Sequence, residues 1–169
     1  MEILIALIGR LLGWRPRRCL RVPLQMHWST TLHTPHVHVD VPLWIQPPSG
    51  ARIPIWFRAD SGATVTRLPV QEAQSLRLAL PGPRLTWAER TAAGSVVVQG
   101  YVGHLDVWLT RNDEGPPFRI PVHFPDLPGD LNLLLGLGGV VDQLRWVIDG
   151  SYQHDAPFGV FLLQELRRR

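Results

Sequence analysis

The sequence predicts an all-β domain of short strands joined by turns, with one or two short helices. Sixteen prolines and fifteen glycines in 169 residues leave little room for long helices. Several stretches alternate apolar and polar residues, the period of a half-buried strand, and turn-forming clusters separate them. Apolar residues make up 45% of the chain and charged residues 18%, a balance that favours one folded core over disorder.

Residues 1–25 read as a basic leader, 26–166 as the folded domain and 167–169 as a basic tail. In the leader, Leu4, Leu7, Ile8, Leu11 and Leu12 fall on one helical face beside Arg10 and Arg15. Such a face suits contact with a membrane surface through residues 3–15. A frayed leader, or a helix packed on the domain, is the simpler reading. The segment does not read as a secretory signal, because Glu2 precedes the apolar run and no small-residue cleavage site follows it.

From Val37 the pattern changes. Val37, Val39, Val41 and Leu43 alternate with His38, Asp40 and Pro42, which predicts one strand, at a sheet edge because proline cannot donate to a ladder. Residues 46–50 form a turn, and 53–57 form the return strand, which leads to Asp60. A short helix is expected over residues 70–76. Residues 85–87 and 95–98 flank Thr91-Ala92-Ala93-Gly94 as a hairpin with a small-residue tip. Residues 101–109 alternate most strongly, 112–117 are an exposed turn, and 118–124 are a further strand. After the apolar run 133–135, an amphipathic helix is expected over 140–146, then strands over 147–149 and 160–163.

All seventeen basic residues are arginine, and eight of them lie within 10–21 or at 167–169. Between residues 22 and 166, nine Arg stand against thirteen acids. A nucleic-acid binder places its cations on the docking face of the fold, so nucleic acid is not an expected partner. The lone Cys19 has no intrachain disulfide partner and suits a reducing, cytoplasmic compartment.

Asp60-Ser61-Gly62-Ala63 follows the apolar strand and runs into Thr64-Val65-Thr66-Arg67-Leu68-Pro69. Further on, Asn132-Leu133-Leu134-Leu135-Gly136 precedes Gly139-Val140-Val141-Asp142-Gln143-Leu144. The first segment resembles the Asp-Thr/Ser-Gly-Ala/Ser active-site sequence of aspartic peptidases. The second resembles the hydrophobic-hydrophobic-Gly segment of their single-domain, retropepsin-like branch. The likeness covers residues 37–150. It departs where Leu137 follows Gly136, since family members often carry an Arg soon after that glycine. It departs again at Thr64, where many viral members have a second Asp.

The resemblance implies a small closed or nearly closed β-barrel that pairs with a second copy of itself. Two Asp60 carboxylates then share one active site and hydrolyse a peptide or protein substrate, with no cofactor and no metal. Asp60 is the expected catalytic group, and Ser61, Gly62, Ala63 and Thr64 form its loop. Leu134, Leu135 and Gly136 are expected to brace that loop from beneath, with Ala92, Ala93 and Gly94 as a flap. The residue chemistry agrees. Gly62 permits a tight loop, the small Ser61 hydroxyl can hydrogen-bond across to a facing loop, and Ala63 leaves room at a twofold axis. One chain holds one such tetrad, so the active form must be a C2 homodimer. The alternative is a catalytically silent module of the same fold that dimerises or binds peptides.

Competing readings are weaker. His36, His38 and Asp40 would share one face of a strand, which is usable metal-ligand geometry, but no fourth ligand completes it and a polar outer face is simpler. Ser61 lacks a Gly-x-Ser-x-Gly elbow. Cys19 lies in the leader, away from any ordered His partner. Asp-Ser-Gly is also ordinary turn chemistry, so Asp60 capping its own turn is the plain rival to catalysis.

Overall fold

The computed structural model describes residues 18–29, 33–48, 50–91, 94–126 and 133–166. Their elements, in chain order, are β1 (Cys19–Pro23), β2 (Gln25–Ser29), β3 (Thr34–His38), β4 (Asp40–Ile45), β5 (Ile53–Ala59), β6 (Thr66–Arg67), α1 (Val70–Ser75), β7 (Leu85–Thr91), β8 (Gly94–Val107), β9 (Phe118–Pro125), β10 (Leu134–Leu135), β11 (Leu144–Asp149) and β12 (Val160–Glu165). The seven-stranded sheet runs β4-β5-β10-β6-β9-β8-β7, a three-stranded sheet runs β1-β12-β11, and β2 pairs with β3 as a separate hairpin.

Alternation builds the core. On β4, Val41, Leu43 and Ile45 are at most 1% exposed while Pro42 and Trp44 stay half-buried. On β5, Ile55 and Phe57 turn inward and Trp56 faces solvent. Phe118, Ile120, Val122 and Phe124 of β9 join them in one buried cluster, together with Leu68 and Leu135. Each such side chain contributes about 1.5–3 kcal/mol through burial. Gly94 opens β8 at φ +128, a conformation that disfavours any side chain, and lets β7 fold back along β8. Helix α1 lays Val70 and Ala73 against the core and stops at Arg77, whose φ of 56 is left-handed.

β4 ends the large sheet at one side, as Pro42 requires, and β7 ends it at the other. These two strands are not paired. Instead Trp44 and Trp108 exchange two backbone hydrogen bonds of 2.9 and 2.8 Å, tying β4 to the residue after β8. Among the described residues the sheet therefore curls back on itself through this bridge, without a continuous ladder between its two end strands.

Three sequence expectations change. The single strand from Val37 breaks at Val39, because the chain passes there from the β2–β3 hairpin to the main sheet; Val37 is consequently 52% exposed. The helix expected over 140–146 is a run of turns, and Leu144 already begins β11. Leu144 N and Val141 N do reach back one helical turn, but residues 144–149 pair along β12 and capture the rest. Residues 18–25, assigned to the leader, are also part of the fold. β1 pairs with β12 in full register, and Val22 and Leu24 are buried. Arg18 anchors this strand: its guanidinium bonds Glu165 at 2.9 and 3.1 Å and Asp113 at 3.2 Å, and stacks 4.0 Å over Phe118. The expected leader helix and its membrane contact, the basic tail, and Ala92 and Ala93 lie outside the described residues.

Candidate active site

Asp60 leaves the end of β5 half-buried, carried there by the inward Ile55 and Phe57. The loop turns tightly behind it. Asp60 Oδ1 accepts from Gly62 N at 2.8 Å, and Asp60 O accepts from Ala63 N at 3.1 Å. Ser61, Gly62 and Thr64 are exposed and Ala63 is half-buried. The Asp-Ser-Gly turn chemistry therefore operates here, but it engages only one carboxylate oxygen.

Residues 133–138 brace this loop along both flanks. β10 runs parallel to β5, pairing Leu134 with Arg58 and Leu135 with Ala59, and antiparallel to β6, pairing Leu134 with Arg67. Asp60 N donates to Leu135 O at 3.1 Å. On the other flank, Leu137 N donates to Ala63 O at 3.0 Å and Gly138 N to Thr64 O at 2.8 Å. Thr66, fully buried, accepts Gly136 N on its Oγ1 at 3.3 Å. The two segments approach so closely that a Cβ at position 136 would sit 2.4 Å from the Val65 backbone. Only glycine fits.

Three residues that the sequence did not single out complete the surroundings. Arg67 of β6 is half-buried; burial lowers its proton affinity, and the Asp60 charge works against that loss. His123 of β9 is the register partner of Arg67, and burial together with the Arg67 charge keeps its imidazole below the usual histidine range. Trp87, on the hairpin strand β7, stands edge-on to His123 with ring centroids 5.0 Å apart. The available signal was a lone arginine between Thr66 and Leu68 soon after the tetrad.

The β2–β3 hairpin gathers His27, His36 and His38, with ring centroids 4.2 to 6.3 Å apart. Both ring nitrogens of His38 are buried without hydrogen bonds, and its proton affinity is lowered, first by burial and then by Arg58. Asp40 is bonded to Arg58 at 3.0 and 3.2 Å. Among the described residues, no group of three His, Cys, Asp or Glu is arranged to hold a metal ion. A surface cavity of about 460 Å³ lies between the 46–50 turn, Leu78, His104, Asp106 and Trp108, and contains none of the Asp60 loop.

A mostly β chain in which an apolar strand delivers an Asp-Ser-Gly-Ala loop onto a Leu-Leu-Gly support has the retropepsin-like fold. A solved structure bears this out: the retropepsin-like aspartic protease from Rickettsia conorii superposes with a TM-score of 0.50 at 18% identity, over 89% of this chain and 95% of that one. At that identity the likeness concerns the fold alone. No protein-family model and no curated protein matches the sequence.

Proposed function

We propose that this chain is an aspartic endopeptidase, active as a homodimer in which two copies of Asp60 activate one water. The observation that carries this reading is the support of Asp60: a half-buried carboxylate whose loop is bonded to residues 133–138 on both flanks of a retropepsin-like fold. A turn cap needs no such brace.

Two carboxylates a few ångströms apart resist carrying two charges and share one proton. The ionised partner takes a proton from the water, whose oxygen attacks the peptide carbon. The protonated partner gives its proton to the carbonyl oxygen. Collapse of the tetrahedral diol breaks the C–N bond, returning a proton to the leaving amine. The exposed Ser61 supplies a hydroxyl at the loop tip, suited to hydrogen-bonding the facing copy.

β12 constrains how the copies meet. Both of its edges are occupied, by β1 and β11 of its own chain, so a second copy cannot pair with it without displacing one of them. Among the described strands of that sheet, β1 and β11 keep an outer edge for a partner.

Cleavage of a peptide library between pH 3 and 7, with Asp60→Asn and a pepstatin-type inhibitor in parallel, tests the reading. Loss of cleavage in the variant supports it; equal cleavage by variant and parent ends it. An intact dimer that cleaves nothing favours the silent module.

A further inference from the structure

We propose that His38 is a proton-operated latch: its neutral ring seats the β2–β3 hairpin beside the main sheet, and protonation in mild acid releases the hairpin.

The hairpin has little else to hold it. It forms a sheet of its own, hydrogen-bonded to no third strand among those described. Of the residues of β2 and β3 whose exposure is described, His38 alone is not exposed. Met26, Trp28 and Val37 stand largely in solvent. A two-stranded hairpin is marginal in water unless it packs against something larger. Here the side chain that packs is a titratable one. It is 8% exposed, and both of its ring nitrogens are shut off from solvent without a hydrogen bond.

The surroundings disfavour a cation at that place. The ring centroid of His27, on β2, lies 4.2 Å from that of His38, and the centroid of His36, on β3, lies 6.0 Å away. Arg58 of β5 adds a fixed positive charge. Asp40 of β4 is the acid that would attract a protonated ring. Its Oδ2 is 3.7 Å from His38 Nε2, beyond hydrogen-bond reach, and both of its oxygens are bonded to Arg58. A proton on His38 therefore places a charge out of water with no bonded partner, which burial makes costly. Swinging the hairpin out hydrates the imidazolium and separates it from Arg58.

An imidazole buried in its neutral form binds a proton more readily once released. Its contribution to the closed hairpin is thus present above about pH 6.5 and is lost as pH falls from there through the lower folded value. The opening also reaches the root of the candidate site, since Val39 O accepts Ala59 N at 3.0 Å, one residue before Asp60.

Hydrogen exchange of the full chain tests the latch, read over residues 25–38 and, as an internal reference, 118–125. After correction for the intrinsic pH dependence of exchange, hairpin protection should fall about threefold or more between pH 7 and 5, while the reference holds. His38→Phe keeps a ring that cannot be charged, and its hairpin protection should stay level across that range. An equal decline in hairpin and reference means global loosening and overturns the latch. So does a decline that persists in His38→Phe. If His38→Phe leaves the hairpin open already at pH 7, the parent decides alone. Its His38 ring should then titrate by NMR below 6.5, with the same midpoint as hairpin opening, and separate midpoints overturn the proposal. No readout here depends on cleavage, so the latch stands or falls apart from the peptidase reading.

Discussion

Asp60 follows β5, Asp149 is the last residue of β11, and each opens a turn containing serine and glycine. In both, Oδ1 accepts a backbone N–H from the residue two further on, Gly62 N at 2.8 Å and Ser151 N at 2.9 Å. There the likeness stops. Asp149 also accepts the Ser151 hydroxyl at 2.6 Å, stands in solvent, and is held below the usual carboxylate range by those bonds. Asp60 is half-buried, its loop is bonded to residues 133–138 on both flanks, and its charge acts on Arg67. A local motif makes a turn in either place. A second, distant segment makes one of them a candidate site.

The largest expected contrast is chemical. Asp60→Asn should lower peptide cleavage by at least about 10²-fold, the scale of a lost acid–base group, while Asp149→Asn should leave it nearly unchanged. Equal losses in a cleavage assay would mean that the bracing has no catalytic meaning. The next contrast is steric. Gly136→Ala drives a Cβ into the Val65 backbone and should cost about 1–3 kcal/mol or more in urea unfolding. Gly150→Ala meets nothing within 4 Å and should stay within about 0.5 kcal/mol. A smaller difference follows from hydrogen bonding. Thr66→Val leaves the buried Gly136 N–H without its acceptor, at about 1–3 kcal/mol, whereas the partner that Ser151→Ala leaves, Asp149, is already in water, so that change should cost less.

The smallest effect is in pH, and the signs separate the two regions. His123 has a folded-state proton affinity below its ordinary value of 6.5, so its stabilisation is present above that pH and is lost as pH falls beneath it. Asp149 is depressed below 3.8, so its contribution is present above that value and is lost only as pH falls through the lower folded one. Melting temperatures of His123→Gln should therefore decline less than those of the parent between pH 7 and 5. Ser151→Ala should melt slightly below the parent by a constant offset across that range, and the offset should shrink in stronger acid.

Part of this could be read from the residues in line. The alternation through Val41 and Leu43, the edge strand marked by Pro42, the helix after Pro69 and the hairpin around Gly94 all follow from local periodicity and turn chemistry. The tetrad at 60–63 and the Leu-Leu-Gly run were visible as motifs, and the fold puts them in contact. The failures are equally specific. Residues 140–146 have helical spacing, but 144–149 gain a full ladder by pairing with β12, a partner that a local window does not contain. Arg18 looked like one more leader cation until Glu165 and Asp113, distant in sequence, supplied its carboxylates. His123 and Trp87 join Arg67 only through strand register and packing.

By itself the sequence determined the β-rich class, the alternation that turns Val41 and Leu43 inward, and the aspartate that follows β5, since periods of two and turn-forming side chains act over a few residues. Tertiary structure alone decided that β10 wedges between β5 and β6, that Trp44 meets Trp108, and that Arg67 stands by Asp60. Those contacts join residues far apart in sequence. They follow from which strands can bury one shared core, and no short stretch of chain encodes that choice.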